Sequence, residues 1–511
     1  ITFPSFGVHM SVLTRSGIPA PTTYNRWLIP PAALAIHLCI GQVYAFSVFK
    51  MPLVEHFNTG EVAVGWIFSV AIAMLGISSA IGGTWVEKVG PRLSMLVSGA
   101  FWVIGFLVAS VGITTGQLWL VYFGYGFLGG IGLGIGYIAP VSTLIKWFPD
   151  RPGLATGLAI MGFGGGALIA SPMSNQLMVA FGGGDATENL VDGVFPTFLV
   201  LAVVYAVVIA LGAYVVRVPH PDWKPQGWDP ASVKSKSMQT TRHVSARTAI
   251  TTPQFWLLWI VLFTNVTAGI GILESASPMI QDYFSQITPA SAAGYVGLLS
   301  LANMGGRFLW SSVSDITGRK FIYIVYLGVG VGLYLLVALI GHGSLILFIL
   351  ATLVILSFYG GGFATMPAYL KDIFGTMQVG AIHGRLLTAW SAAGIAGPLI
   401  VNTVLESRRN TGAEGPALYQ LSLLIMVGVL VVGFIANALM RPVAEKHYAS
   451  DEEVERQNTS HNLKTGKDGG IAVNAGNVLH TVAAWVLTAI VTVGLGYGLV
   501  QIVLKSLKLF I

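Results

Sequence analysis

Thirteen apolar runs, each near the roughly twenty residues that a helix needs to cross a bilayer, constrain this chain more than any other feature of its sequence. Six begin near Trp27, Val62, Leu93, Leu118, Leu154 and Phe195, and six more near Phe255, Ala292, Phe321, Leu345, Val379 and Leu418. A last run, Thr481 to Leu504, stands apart. In lipid the backbone must satisfy its own polar groups, so runs of this kind fold as helices. Composition agrees, with 54% hydrophobic and 9% charged residues, about a third of the charged share of an ordinary soluble chain. The reading is an all-α integral membrane protein.

The breaks between runs divide the chain. Residues 1–25 form an N-terminal segment, 26–217 a first six-helix bundle, 218–252 a central loop, 253–441 a second bundle, 442–478 a polar linker and 479–511 the extra hydrophobic helix. The central loop region carries Arg217, Lys224, Lys234, Lys236, Arg242 and Arg247 among prolines, serines and threonines. With the N-terminus inside, the N-terminal segment, the even-numbered loops and the tail hold 21 Lys and Arg, against Lys50, Arg408 and Arg409 outside. That asymmetry predicts a multi-pass protein of the cell membrane with a cytoplasmic N-terminus. Lys505 and Lys508 close the last run, which leaves it open between a true span and an interfacial helix.

The net charge of +6 is scattered over short loops rather than gathered on one face, so the lipid bilayer and not a nucleic acid is the expected partner. Cys39 is the single cysteine and excludes an intrachain disulfide or a cysteine metal cluster. GYGFLG (124–129) matches a dinucleotide fingerprint but lies inside the fourth run with no strand before it, and GFGGGA (162–167) lacks the lysine and hydroxyl of a phosphate loop. Neither paired histidines nor a catalytic triad is present. No metal, cofactor or enzymatic activity is expected.

The halves repeat. GTWVEKVGPR (83–92) aligns with SSVSDITGRK (311–320), placing Glu87 against Asp315 and Gly90 against Gly318 at an offset of 228, with Arg92 and Arg319 close behind. Pro140 and Pro367 are 227 apart, and Lys146 and Lys371 are 225 apart. A near-constant offset predicts internal pseudo-symmetry. In each short loop the acid can cap a neighbouring helix and the glycine can turn the chain back.

These two six-helix halves with a shared loop motif resemble the major facilitator superfamily. Within it, KWFPDRPGLATG (146–157), TPQFW (252–256) and KDIFG (371–375) resemble the oxalate/formate antiporter family and the related monocarboxylate transporters. The resemblance covers about residues 26 to 441. It implies a secondary transporter of small carboxylates working by alternating access, in the first instance proton-coupled monocarboxylate transport. An oxalate/formate-type anion exchanger is the first alternative and a carboxylate sensor the second. The implied partners are a small organic anion and protons; the oligomeric state stays open.

Polar residues of the eighth run, Ser300, Asn303, Arg307, Ser311 and Ser314, fall at helical spacing on one stripe. An arginine at mid-bilayer costs on the order of 3 kcal/mol on insertion scales and persists only beside a partner or a wet path. A structural ion pair is one reading, with Asp315 nearest, but eight residues span about 12 Å of helix. A substrate carboxylate, matched to the guanidinium fork, is the other. Counted from the nearest charge at the predicted inner face, Arg307 and Phe363 lie about 12 Å deep, Tyr137 about 14 Å and His37 about 16 Å, one layer near the midplane. The resemblance implies that Tyr137 and Arg307 contact the carboxylate and that Phe363 walls the site; Phe363 can only pack, there or in the ordinary helix core. Asn303, Tyr44 and Trp390 complete the expected substrate-binding set. Trp390 or Ala393 stands where oxalate carriers place a second cation, and Asn303 where some monocarboxylate transporters carry an aspartate. Glu274 and His37 are the candidates for proton coupling. Glu274 lies near the outer mouth and can be a proton carrier, a gate or an interfacial acid. His37 titrates in the useful range if wetted and stays neutral if packed.

Overall fold

The computed structural model describes residues 19–21, 23–182, 190–220, 223–227, 239–455 and 478–506. The first half contains α1 (Arg26–Ala45), continued by a short segment Ser47–His56, then α2 (Glu61–Val89), α3 (Pro91–Thr114), α4 (Leu118–Trp147), α5 (Pro152–Phe181) and α6 (Leu190–Val215). The second contains α7 (Pro253–Tyr283), α8 (Pro289–Thr317), α9 (Arg319–Gly343), α10 (Leu345–Phe374), α11 (Val379–Asn410) and α12 (Ala417–Ala438), and α13 (Val478–Ser506) follows. Among the described residues, twelve of these are apolar enough to cross a membrane by composition alone. The other is α8, as long as its neighbours at 29 residues but diluted by Asn303, Arg307 and its serines.

Helix onsets follow local chemistry. Pro91, Pro152, Pro253 and Pro289 occupy first-turn positions, where a missing N–H costs nothing. Thr252, Thr288 and Ser344 accept from the N–H groups of Phe255, Ser291 and Leu347, satisfying donors that the helix cannot. These caps start α8 three residues before the apolar run begins at Ala292.

The repeated loops have one backbone solution. Gly90 and Gly318 sit at φ 88° and 91°, a region that a residue with a Cβ enters only at a cost. Each turns one span tightly into the next and places the preceding acid against the opposite half. Asp315 accepts from the N–H groups of Gly153 and Leu154, both at 2.9 Å, at the start of α5. Glu87 accepts from the N–H of Gly380 at 3.2 Å, at the start of α11, and from Ser142 and Lys146. Each half thus supplies a carboxylate to the positive end of a helix in the other. Arg319 steadies Asp315 at 2.5 Å and lies 3.4 Å from Asp372; Arg92 instead donates to the carbonyl oxygens of Ala213 and Tyr214 at the end of α6. All of these contacts lie at the end of the bundle where the central linker joins the halves, here termed the linker end.

The halves meet along two seams, α5 with α8 and α2 with α11. Both need glycine: a Cβ on Gly157 would lie 2.1 Å from Ser311 Oγ, and one on Gly384 would lie 2.2 Å from the Ser79 carbonyl oxygen. The extra helix α13 runs lengthwise along α1, α5, α6 and α8. His480 in its first turn lies 2.8 Å from the Val215 carbonyl oxygen at the linker end, while Ile502 packs on Gly297 near the opposite end of α8. It therefore lies across the full thickness of the bundle and touches both halves, as a span does.

The reciprocal caps make a prediction. The two carboxylates together favour linker-end closure by about 1 kcal/mol, so the Glu87→Gln, Asp315→Asn double variant is expected to shift the open/closed ratio roughly fivefold toward open. Electron–electron distance measurements between spin labels at Lys88 and Ile316 should show the longer population growing. An unchanged distribution would contradict the role given to the caps.

Candidate functional site

Arg307 is fully buried on α8. Its Nε donates to Asn303 Oδ1 one turn earlier at 3.0 Å, and its Nη1 donates to the Ile160 carbonyl oxygen of α5 at 3.3 Å. The guanidinium lies 5.2 Å from the centre of the Phe363 ring on α10, within cation–π range. Gly164 lets it approach α5 so closely, since a Cβ there would sit 2.7 Å from Nε. Its Nη2 is buried with no hydrogen-bond partner, and among the described residues no carboxylate pairs with it. Asp315, the nearest acid along the helix, is engaged by Arg319 and the start of α5.

Around this group α4, α5, α10, α11 and the last turn of α1 close an aromatic wall. Trp390 of α11 is its hub, with ring centres 4.5 Å from Phe363, 5.3 Å from Phe163, 5.4 Å from Tyr137 and 6.4 Å from Tyr44. Tyr44 and Tyr137 also meet Phe163 edge-on at 5.2 Å and 5.3 Å. The Tyr44 hydroxyl lies beside Arg307 and the Tyr359 hydroxyl without reaching hydrogen-bond geometry to either. The hydroxyls of Tyr44, Tyr137 and Tyr359 and the indole N–H of Trp390 are all buried and unpartnered. Leaving a buried donor unsatisfied costs about 1–3 kcal/mol, and a charged one more. Such a concentration of orphan donors around one cation suits an anion able to accept from several of them.

The sequence-derived set divides clearly. Arg307, Asn303, Tyr137, Phe363, Tyr44 and Trp390 come together here, and His37 stacks on Tyr137 at 5.4 Å. Glu87, Gly90, Arg92, Asp315, Gly318 and Arg319 lie at the linker end and form the caps, turns and carbonyl contacts described above. Glu274 is on α7, and its side chain lies outside the described residues. Phe163, Gly164 and Tyr359 also line this site although no sequence pattern set them apart, while His383 stands outside it with its ring 5.8 Å from that of Tyr137. Two of them stand inside GFGGGA, whose glycines signal a close approach rather than a phosphate loop, and Tyr359 is one helical turn before Phe363. Among the described residues no cluster of three His, Cys, Asp or Glu could hold a metal ion.

The family model of the Major Facilitator Superfamily matches residues 32–398. The oxalate:formate antiporter of Oxalobacter formigenes is 27% identical over 376 residues, covering 73% of this chain and 83% of that protein. Apicoplast pyruvate carrier 1 of Toxoplasma gondii is 26% identical over 398 residues, covering 67% of this chain and 70% of the carrier. Among solved structures, the fucose:proton symporter of Escherichia coli superposes with a TM-score of 0.57 at 16% identity, covering 80% of this chain and 98% of the symporter; at that identity the likeness is one of fold.

An unpaired buried cation is kept at the expense of stability, because apolar replacement of buried charge is often stabilising by about 1–4 kcal/mol. Arg307→Met is therefore expected to raise the melting temperature of the purified protein by several degrees, on the order of 2–4 °C per kcal/mol. A marked fall would show that the arginine is structural.

Proposed function

The chain belongs to the Major Facilitator Superfamily, and from that premise we propose that it carries small monocarboxylates across the cell membrane together with a proton, by alternating access. The observation that carries this reading is the buried Arg307 with Nη2 unpartnered, enclosed by orphan donors and aromatic rings at the seam between the halves. Its free N–H groups and the hydroxyls of Tyr44, Tyr137 and Tyr359 would hold the two carboxylate oxygens. Trp390, Phe163 and Phe363 would pack on the short carbon chain and keep water away.

The same charge supplies a reason for coupling binding to movement. With the site open to water, the guanidinium is solvated; closing both ends over it without a counter-ion would strand a bare charge, at several kcal/mol. A bound carboxylate pairs with the guanidinium and accepts from the orphan donors, so the loaded site closes with its donors satisfied. Glu87 and Asp315 hold the linker end shut in the arrangement described above, and the excess of Lys and Arg on that side supports a cytoplasmic location for it. Residues 26–217 and 253–441 would be the two rocking bodies.

One cation argues for one negative charge. Trp390 and Ala393 are both buried on α11, and no Lys or Arg lies between Arg385 and Arg408. A dianion would bring a second, unpaired charge into the seam. The pyruvate carrier among the relatives fits a single carboxylate. The oxalate:formate antiporter, which this chain covers more fully, is the observation that favours anion exchange as a second reading.

Two experiments follow. Arg307→Lys keeps the charge but loses the planar fork, and uptake of labelled lactate or pyruvate into proteoliposomes should fall roughly tenfold or more while the protein level holds; near-normal uptake would refute the assignment. In competition at neutral pH, lactate, pyruvate and formate should displace one another better than oxalate does, and an inward proton gradient should raise uptake. Displacement by oxalate at far lower concentration would replace this reading with the exchanger.

A further inference from the structure

His37 is fully buried in α1, and both of its ring nitrogens face backbone oxygens. Nδ1 is 2.6 Å from the Ala159 carbonyl oxygen of α5, and Nε2 is 3.1 Å from the Tyr137 carbonyl oxygen of α4. A carbonyl oxygen only accepts. A neutral imidazole has a single N–H and can satisfy one of these oxygens, leaving its bare nitrogen lone pair against the other; an imidazolium donates to both. The pocket is thus shaped for the protonated ring, at a depth where protonation needs a compensating event.

That event is available next door. Ala159 and Ile160 are successive residues of α5: the first carbonyl faces His37, and the second accepts from Arg307 Nη1. Two cations hung on adjacent peptide oxygens repel one another in a medium that screens poorly. A carboxylate seated on Arg307 cancels that repulsion. The other titratable groups facing the ring are Tyr137 of α4, stacked on it at 5.4 Å, and His383 of α11 beyond Tyr137; α5 contributes carbonyl oxygens and the Phe163 ring, edge-on at 6.5 Å.

Resting on the proton-coupled reading above, we propose that His37 carries the coupled proton, taken from water onto its bare ring nitrogen when a carboxylate occupies Arg307 and released when that carboxylate leaves. Linkage makes the effect reciprocal: whatever factor the bound anion adds to proton affinity, the proton adds to anion affinity. Anion and proton therefore load and unload together, which is symport. The empty carrier returns with Arg307 charged and His37 neutral.

The test compares two transport modes in proteoliposomes holding the full chain. In wild type, labelled pyruvate should show counterflow at equal pH and accumulation driven by an inward proton gradient. In His37→Gln, counterflow should survive at a reduced rate, while stimulation by the gradient falls to within about twofold of none and the affinity for pyruvate loses its dependence on pH. His383→Gln should retain the stimulation. Absence of counterflow or of gradient stimulation in wild type would overturn the transport reading itself; stimulation in His37→Gln equal to wild type would overturn the assignment to His37 alone. If His37→Gln does not fold, histidine nitrogen NMR of the wild-type protein decides: saturating pyruvate near neutral pH should convert one of the ten histidines to the doubly protonated form, in wild type and in His383→Gln alike. No change, or a change lost in His383→Gln, would overturn the proposal.

Discussion

A guanidinium removed from water, at the seam of two helical bundles and without a carboxylate among its described neighbours, sets the terms for the rest of this protein. Arg307 is held by one amide oxygen, one backbone carbonyl and one aromatic face. These contacts orient the charge and leave it uncancelled. The surrounding features follow from that need. Gly164 clears the space for the side chain, Tyr44, Tyr137 and Tyr359 point unsatisfied hydroxyls into the same region, and Trp390 closes it with apolar surface. A packed core that served stability alone would not accumulate so many unpaired donors in one place.

The second constraint is mechanical and sits at the linker end. The duplicated acid and glycine do reciprocal work: Gly90 and Gly318 reverse the chain at nearly the same φ, and Glu87 and Asp315 each reach the first turn of a helix in the opposite half. Such contacts are modest in energy and easily exchanged with water, which suits the gate proposed for this end. The glycine-lined seams keep the two bodies close enough for Arg307 of one half to bond α5 of the other, so occupancy of the site and closure of the ends draw on the same interface. The extra helix α13 rests on both halves along the α5–α8 side, beside the seam that contains the arginine.

Much of this was legible in the sequence because it is written in side-chain type and period. The apolar runs locate the spans, and the offset of 228 pairs Glu87 with Asp315 and Gly90 with Gly318. The stripe at 300, 303, 307, 311 and 314 puts Arg307 inside rather than toward lipid; Ser300 is half-buried and the other four are buried. What the sequence hid are contacts made by backbone or by residues with a common alternative explanation. The carbonyl oxygens of Ala159, Ile160 and Tyr137, which hold the two candidate ionisable groups, have no side-chain signature. Phe163 and Tyr359 look like ordinary aromatics of a core, and Gly164 is one glycine in a run of three. The beginning of α8 was blurred because Thr288 and Pro289, which start it, are not apolar. Trp390 belongs to the set expected from the sequence, but its place as the hub on which the other rings converge has no signature there.

If Arg307 is the recognition element, the site binds a negative charge and not merely a small polar molecule. The direct measurement is the melting temperature of the purified wild-type protein titrated with pyruvate or lactate and, in parallel, with the corresponding uncharged amides. Binding to the folded state raises stability with ligand concentration. A saturable rise is expected with each acid and none with its amide at equal concentration. Equal stabilisation by acid and amide would contradict it, because the charge on Arg307 would then have no part in recognition.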